Sequence, residues 1–158
     1  MELTDEAKPG RGEWMTGGCQ CGRVRYRVLI HDDAAYLCHC RMCQRATGGV
    51  SIAFKGVKQA ELEWLGAKPD EYVSSPIARR GFCAGCGTPL TFRYADSDGM
   101  DLTVGSFDAP ARFRPTQHFG AESWHEAWLD TRALPSQRVD QNPATVERWM
   151  KAVGKLPD

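Results

Sequence analysis

The chain has 158 residues, with 20 basic and 20 acidic side chains, the length of one domain around one core. Its formal net charge of zero gives no bulk attraction to phosphate backbones or anionic lipid, which argues against nucleic-acid and membrane-surface partners. No apolar run approaches the roughly 18–20 residues that cross a bilayer. The polar start MELTDEAKPGRGEW lacks the apolar segment of a signal peptide, so the expected compartment is the cytoplasm.

Residues 1–13 read as a disordered lead-in, residues 14–132 as a single domain and residues 133–158 as an extension. Cys19 and Cys21 precede a strand at 22–28, in which Val24, Tyr26 and Val28 share one face and arginines the other. A strand at 35–38 runs into Cys38, Cys40 and Cys43, and residues 42–46 fit a single helical turn. Strands follow at 50–55, 62–65, 71–74 and 78–83, with turns at 67–70 and at Ser75-Pro76. Cys83 and Cys86 come next, then strands at 90–94 and 101–106 joined by a hairpin loop at 95–99. A helix is predicted at 143–153, with Asn142 as N-cap, Pro143 in its first turn and Gly154 as its stop. Val146, Trp149, Met150 and Val153 share one face of it, suited to pack on the barrel or on a second copy in a homodimer. Short strands at regular intervals with no βαβ rhythm predict an all-β domain.

The seven cysteines are clustered. Their spacings are C-x-C at Cys19 and Cys21, C-x-C-x-x-C at Cys38, Cys40 and Cys43, and C-x-x-C-G at Cys83 and Cys86. A reducing compartment disfavours a disulfide framework, and an odd number cannot pair completely. Thiolate ligands of one ion must lie close together, because Zn–S bonds of about 2.3 Å set the sulfurs roughly 4 Å apart. The C-x-x-C-G element also fits a redox pair, but that use needs a helix start, and Thr88 to Tyr94 alternate as a strand. Gly85 and Gly87 suit the positive-φ turn of a zinc knuckle. The set divides as four plus three. Cys19, Cys21, Cys83 and Cys86 would close one structural zinc site, and Cys38, Cys40 and Cys43 would hold a second zinc with a vacant position, the hallmark of a catalytic site.

Two alternatives stand beside that reading of the central trio. His39 could complete a closed Cys3His site, although in an extended C-H-C segment its side chain points away from Cys38 and Cys40. The trio could also carry a redox-active cysteine pair.

The segments GGCQCGRVRY, CHCRMCQRATG, RRGFCAGCGTPLTFR and DLTVGSFDAP resemble the glutathione-dependent formaldehyde-activating family, which includes centromere protein V. The resemblance runs from about Gly17 to Asp130. It implies a β-tent-like fold of stacked antiparallel sheets, a structural zinc on the outer four cysteines and a catalytic-type zinc on the central three, two zinc ions per chain. The chain departs from the family pattern at His118-Phe119-Gly120, where an aliphatic residue and a tryptophan are usual after the histidine, and at Trp128, ten residues beyond His118.

The activity implied is that of a carbon–sulfur lyase, in which a zinc-held glutathione thiolate adds to formaldehyde to give S-hydroxymethylglutathione. Glutathione's carboxylates would need cations, and Arg41, Arg45, Arg79, Arg80 and Arg93 flank the metal motifs. His125, Glu122 and Glu126, near Trp124 and Trp128, are further candidates for acid–base work. A zinc enzyme with another small thiol or electrophile, and a non-catalytic zinc module that binds a protein, are the competing readings.

Overall fold

The computed structural model describes residues 12–156; most of the expected disordered lead-in, residues 1–11, lies outside them. Within this span run β1 (Glu13–Gly18), β2 (Arg25–Ile30), β3 (Ala34–Cys38), α1 (Arg41–Thr47), β4 (Ile52–Lys58), β5 (Leu62–Trp64), β6 (Asp70–Ser75), β7 (Ala78–Phe82), β8 (Pro89–Tyr94), β9 (Gly99–Thr103), β10 (Arg114–Phe119) and α2 (Pro143–Val153). The strands form a three-stranded sheet in the order β1-β2-β5 and a seven-stranded sheet in the order β10-β3-β4-β9-β8-β7-β6, an all-β arrangement with a short C-terminal helix. Among the described residues, no helix is long and apolar enough to cross a membrane.

Alternation builds the core. Tyr26, Val28 and Ile30 of β2 and Met15 of β1 point the same way and pack on Ala35, Met100, Leu102, Phe107 and Phe113. Each fully buried aliphatic or aromatic side chain there contributes about 1.5–3 kcal/mol. The buried Tyr26 hydroxyl is satisfied by Ser106 Oγ at 2.8 Å, which avoids an orphaned polar group.

Two strands were not anticipated. In β1, Glu13 already pairs with Ile30, and the Gly17-Gly18 pair that weakens the strand signal is sterically required. A Cβ at Gly17 would fall on the Tyr26 hydroxyl and the Ser106 carbonyl. The other strand, β10, is exposed throughout and contains Pro115, so it has no alternation to read. It runs parallel to β3 at the sheet edge, with a register shift between Pro115 and Gln117, whereas the other strand pairs among the described residues are antiparallel. The expected strand at 101–106 ends at Thr103, where the chain turns into a 3-10 segment, Val104–Ser106.

The two faces of the large sheet divide the labour. Leu102 and Met100 look to the core described above. Their neighbours on the other face form a cross-strand row: Asp101 lies opposite Gly56 on one side and Phe92 on the other, and Phe92 lies opposite Arg80. Tyr36 lies opposite Phe54 in the adjoining pair. Successive strand residues point to opposite faces, so this row stands on the side away from the small sheet.

The chain divides between His125 and Glu126 into two compact units, the first holding both sheets. In the second, α2 has the predicted ends. Asn142 Oδ1 accepts from the Thr145 N–H at 3.1 Å, and Gly154 closes the helix in the left-handed region, the Asn and Gly caps favoured at those ends.

Candidate metal centres and their cavity

The loop between β1 and β2 carries Cys19 and Cys21, and the turn between β7 and β8 carries Cys83 and Cys86. The four sulfurs lie within 4.8 Å of one another, with Cys19 Sγ 3.5 Å and Cys83 Sγ 3.7 Å from Cys21 Sγ. Because each loop belongs to a different sheet, an ion here would staple the two together. The two loops are built alike. Cys19 N–H donates to the Val24 carbonyl and Cys83 N–H to the Thr88 carbonyl, and the Val24 N–H donates to Cys19 Sγ at 3.3 Å. Gly87 takes the positive φ expected of it, at 79°, whereas Gly85 does not. Cys86 is held down to about 5, first by the Thr88 hydroxyl 3.2 Å away and then by the Thr88 backbone. Sulfurs this close, receiving N–H donors, fit a thiophilic divalent ion.

Cys38 ends β3, Cys40 is the N-cap of α1 and Cys43 lies in its first turn. The three sulfurs also fall within 4.8 Å of one another. The Cys43 N–H caps onto Cys40 Sγ at 3.3 Å, so the helix start holds two of the sulfurs in place. Arg80 Nη2 donates to Cys43 Sγ at 3.2 Å. Cys43 is held down to about 5, first by the Cys38 thiol as donor and also by the Arg80 guanidinium, against the opposing effect of burial. Cys38 moves up in turn because it keeps the shared proton. Both clusters can therefore hold metal ions.

His39 lies outside the three-sulfur cluster. Its fully buried ring meets His118 Nδ1 through Nε2 at 2.8 Å and stacks on Trp124, on the opposite side of the strand from Cys38 and Cys40, as alternation requires. Burial, then the neighbouring His118 and His125, pushes it below the usual imidazole range. The segment where the sequence departs from the family pattern lies against the same place. Gly120 has φ 65° and a Cβ there would stand 2.8 Å from Cys40 N, so the chain after β10 closes tightly on Cys40. Trp124 stacks 4.0 Å from His118.

The three cysteines line one end of a cavity of about 560 Å³ on the outer face of the large sheet. Its walls include Tyr36, Phe54, Phe92, Tyr94, Met42 and Phe119, and Arg80 and Asp101 stand in its floor. Burial raises the Asp101 carboxyl above the usual carboxylate range, tempered by the Tyr36 hydroxyl. The cavity faces were illegible in sequence, because an aspartate in D-L-T-V reads as a solvated strand position. Glu122 lines the cavity, while His125 and Glu126 are exposed.

Of the five arginines flanking the motifs, Arg80 reaches the trio. Arg93 and Arg79 both turn to Glu71, Arg93 at 2.6 Å and Arg79 at 3.9 Å. Arg41 hydrogen-bonds Gln44, and Arg45 is exposed on α1. Adjacent strand residues point apart, which is why Arg79 and Arg80 cannot serve one site.

Two sheets bearing a four-cysteine and a three-cysteine cluster, each able to hold a metal ion, define the class of β-protein. The model of the family described as glutathione-dependent formaldehyde-activating enzyme matches residues 14–124, and the chain belongs to that family. It is 31% identical to an uncharacterized lyase of Schizosaccharomyces pombe over 83 residues, 51% of this chain and 58% of that protein's length. A crystal structure of a Rhodobacter sphaeroides protein shares the fold, with a TM-score of 0.54 at 22% identity over 66% of this chain and 99% of that one.

Proposed function

We propose that this chain is a zinc-dependent carbon–sulfur lyase, with structural zinc on Cys19, Cys21, Cys83 and Cys86 and catalytic zinc on Cys38, Cys40 and Cys43. The observation that carries the reading is the contrast between the clusters: the trio opens on a cavity of about 560 Å³ and the tetrad closes on itself. The family's description and the lyase relative support the same reaction class. Glutathione and formaldehyde are the pair which that description supplies, in the reducing cytoplasm expected from the sequence.

Zinc on three thiolates would supply a soft Lewis acid that keeps a substrate thiol deprotonated near neutral pH. The protein's own groups do the rest. Arg80 fixes Cys43 and offsets part of the negative charge of the sulfurs. Asp101, whose carboxyl burial shifts toward the protonated form, donates a proton to the aldehyde oxygen as the thiol sulfur attacks carbon, and takes back through solvent the proton that the thiol released. One C–S bond forms, the C=O π bond breaks, and the proton lost by the thiol is replaced on oxygen, so no oxidant or reductant is needed. The reverse sequence cleaves the C–S bond, with Asp101 taking the proton back.

The test is exchange of 13C-labelled formaldehyde with its glutathione adduct, followed by NMR on the zinc-loaded protein. Acceleration that Cys40→Ser abolishes is expected. An unchanged exchange rate with glutathione and with other thiols would refute the lyase reading. A different small thiol on the same scaffold is the second reading, favoured by the engagement of Arg79 and Arg93 with Glu71.

A further inference from the structure

Resting on the lyase reading above, we infer that the cavity takes an uncharged thiol with an aromatic or branched apolar group, in preference to a peptide thiol carrying carboxylates. Charge and shape both lead there. Among the described residues lining the cavity, Arg80 is the one lysine or arginine, and Asp101 and Glu122 are acidic.

Arg80 is the one cation in this lining, and its charge already serves the sulfurs and the Phe92 ring. It is 6% exposed, Nη2 is committed to Cys43 Sγ at 3.2 Å, and its guanidinium lies 4.9 Å over the Phe92 ring. The other cations of this sheet region, Arg79 and Arg93, stand opposite each other across β7 and β8, one residue out of step with Arg80 and Phe92, and so on the reverse face. A carboxylate entering the cavity would meet Glu122 and the net negative charge of three thiolates on one zinc, with Arg80 as the one cation in the lining, and a buried charge without a full set of partners is disfavoured.

The apolar surface has the opposite character. Phe54 packs between Tyr36 and Phe92, with ring centroids 5.7 Å and 6.3 Å away, and Tyr94 meets Phe92 edge to face at 5.2 Å. At the mouth Ile77 is 63% exposed and Phe119 52%. Apolar groups of this size left in water beside a cavity are the lining of a site for an apolar ligand. A sulfur directed at Cys38, Cys40 and Cys43 would leave the ring or branched chain of such a thiol against Phe54 and Phe92.

The inference is tested by calorimetric titration of the zinc-loaded protein with phenylmethanethiol, with its para-carboxylate analogue and with glutathione. Phenylmethanethiol is expected to bind at least tenfold more tightly than either carboxylated thiol. Ile77→Lys, which adds a cation at an exposed rim position, should narrow the gap between phenylmethanethiol and its para-carboxylate analogue by about tenfold. Equal or tighter binding of glutathione, or no binding by any of the three, overturns the inference. The formaldehyde exchange assay separates the two levels: fast exchange with glutathione alongside poor binding of phenylmethanethiol sinks the inference and leaves the lyase reading standing.

Discussion

Arg80 Nη2 stands 3.2 Å from Cys43 Sγ, joining the middle of β7 to the first turn of α1. This contact joins the sheet that forms the cavity floor to the helix start that presents the sulfurs. With a metal on the proposed trio, Arg80 would orient the Cys43 thiolate and tune its basicity. Arg80→Gln should keep the sheets and lower metal affinity at the trio or turnover by about 10–100-fold, measured by chelator competition and exchange kinetics. Unchanged values for both would show that the contact is only packing.

The two clusters should fail differently. On the proposed assignment Cys83→Ser would remove a ligand from the staple between the sheets, and structural zinc contributes about 10 kcal/mol or more to folding in small zinc domains. That variant should give little soluble folded protein, as judged by circular dichroism and yield. Cys40→Ser lies at a helix N-cap, where a serine oxygen caps well, so its thermal midpoint should stay within a few degrees while exchange activity is lost. A stable Cys83→Ser protein would refute the structural role of the tetrad.

Asp101 would tie the proposed proton transfer to a cost in stability. Its carboxyl is raised above the unfolded value, first by burial, so the native state binds more protons than the unfolded chain between the two pKa values. Stability then falls as pH rises through that interval. Asp101→Asn should therefore raise the melting temperature at pH 7, by about 2–4 °C for each kcal/mol relieved, while turnover falls by about 10²–10⁴-fold through loss of the proton donor. Lower stability at pH 7 would contradict the account of its burial.

Asp32 makes the opposite prediction. The buried Lys55 ammonium donates to it at 2.7 Å and to the Ala34 carbonyl at 2.8 Å, and the Lys55 hydrogen bond holds the Asp32 carboxyl below its ordinary value. A depressed carboxylate stabilises above its unfolded pKa, and the stabilisation is lost as pH falls through the folded value. Asp32→Asn should melt lower than the parent at pH 7, and the gap should close below about pH 4. A gap independent of pH would assign the loss to packing alone.

The parts legible in sequence were those set by local chemistry. Closely spaced cysteines suit the bite of one ion, so both groupings of sulfurs could be read from position alone. The ends of α2 were equally plain, since Asn142, Pro143 and Gly154 each have one physical reason to be there. What sequence hid depends on contacts between distant strands. β1 is masked by Gly17, whose lack of a side chain is explained only by the Tyr26 hydroxyl across the sheet. β10 is a polar edge strand held by pairing with β3. Five arginines near the motifs looked alike, and only the sheet register separates Arg80 from Arg79 and Arg93. Asp101 reads as a surface residue until Gly56, Phe92 and Tyr36 are found around it.

The central claim is one closed four-sulfur site and one open three-sulfur site in the same chain. Zinc K-edge absorption fine structure on the fully loaded protein tests it directly. The account predicts an average of about 3.5 sulfurs per zinc at roughly 2.3 Å with a fractional oxygen or nitrogen shell, rising to about four sulfurs when an uncharged thiol is added. An average of four sulfurs before any thiol is added, or histidine scattering in the outer shells, would contradict it.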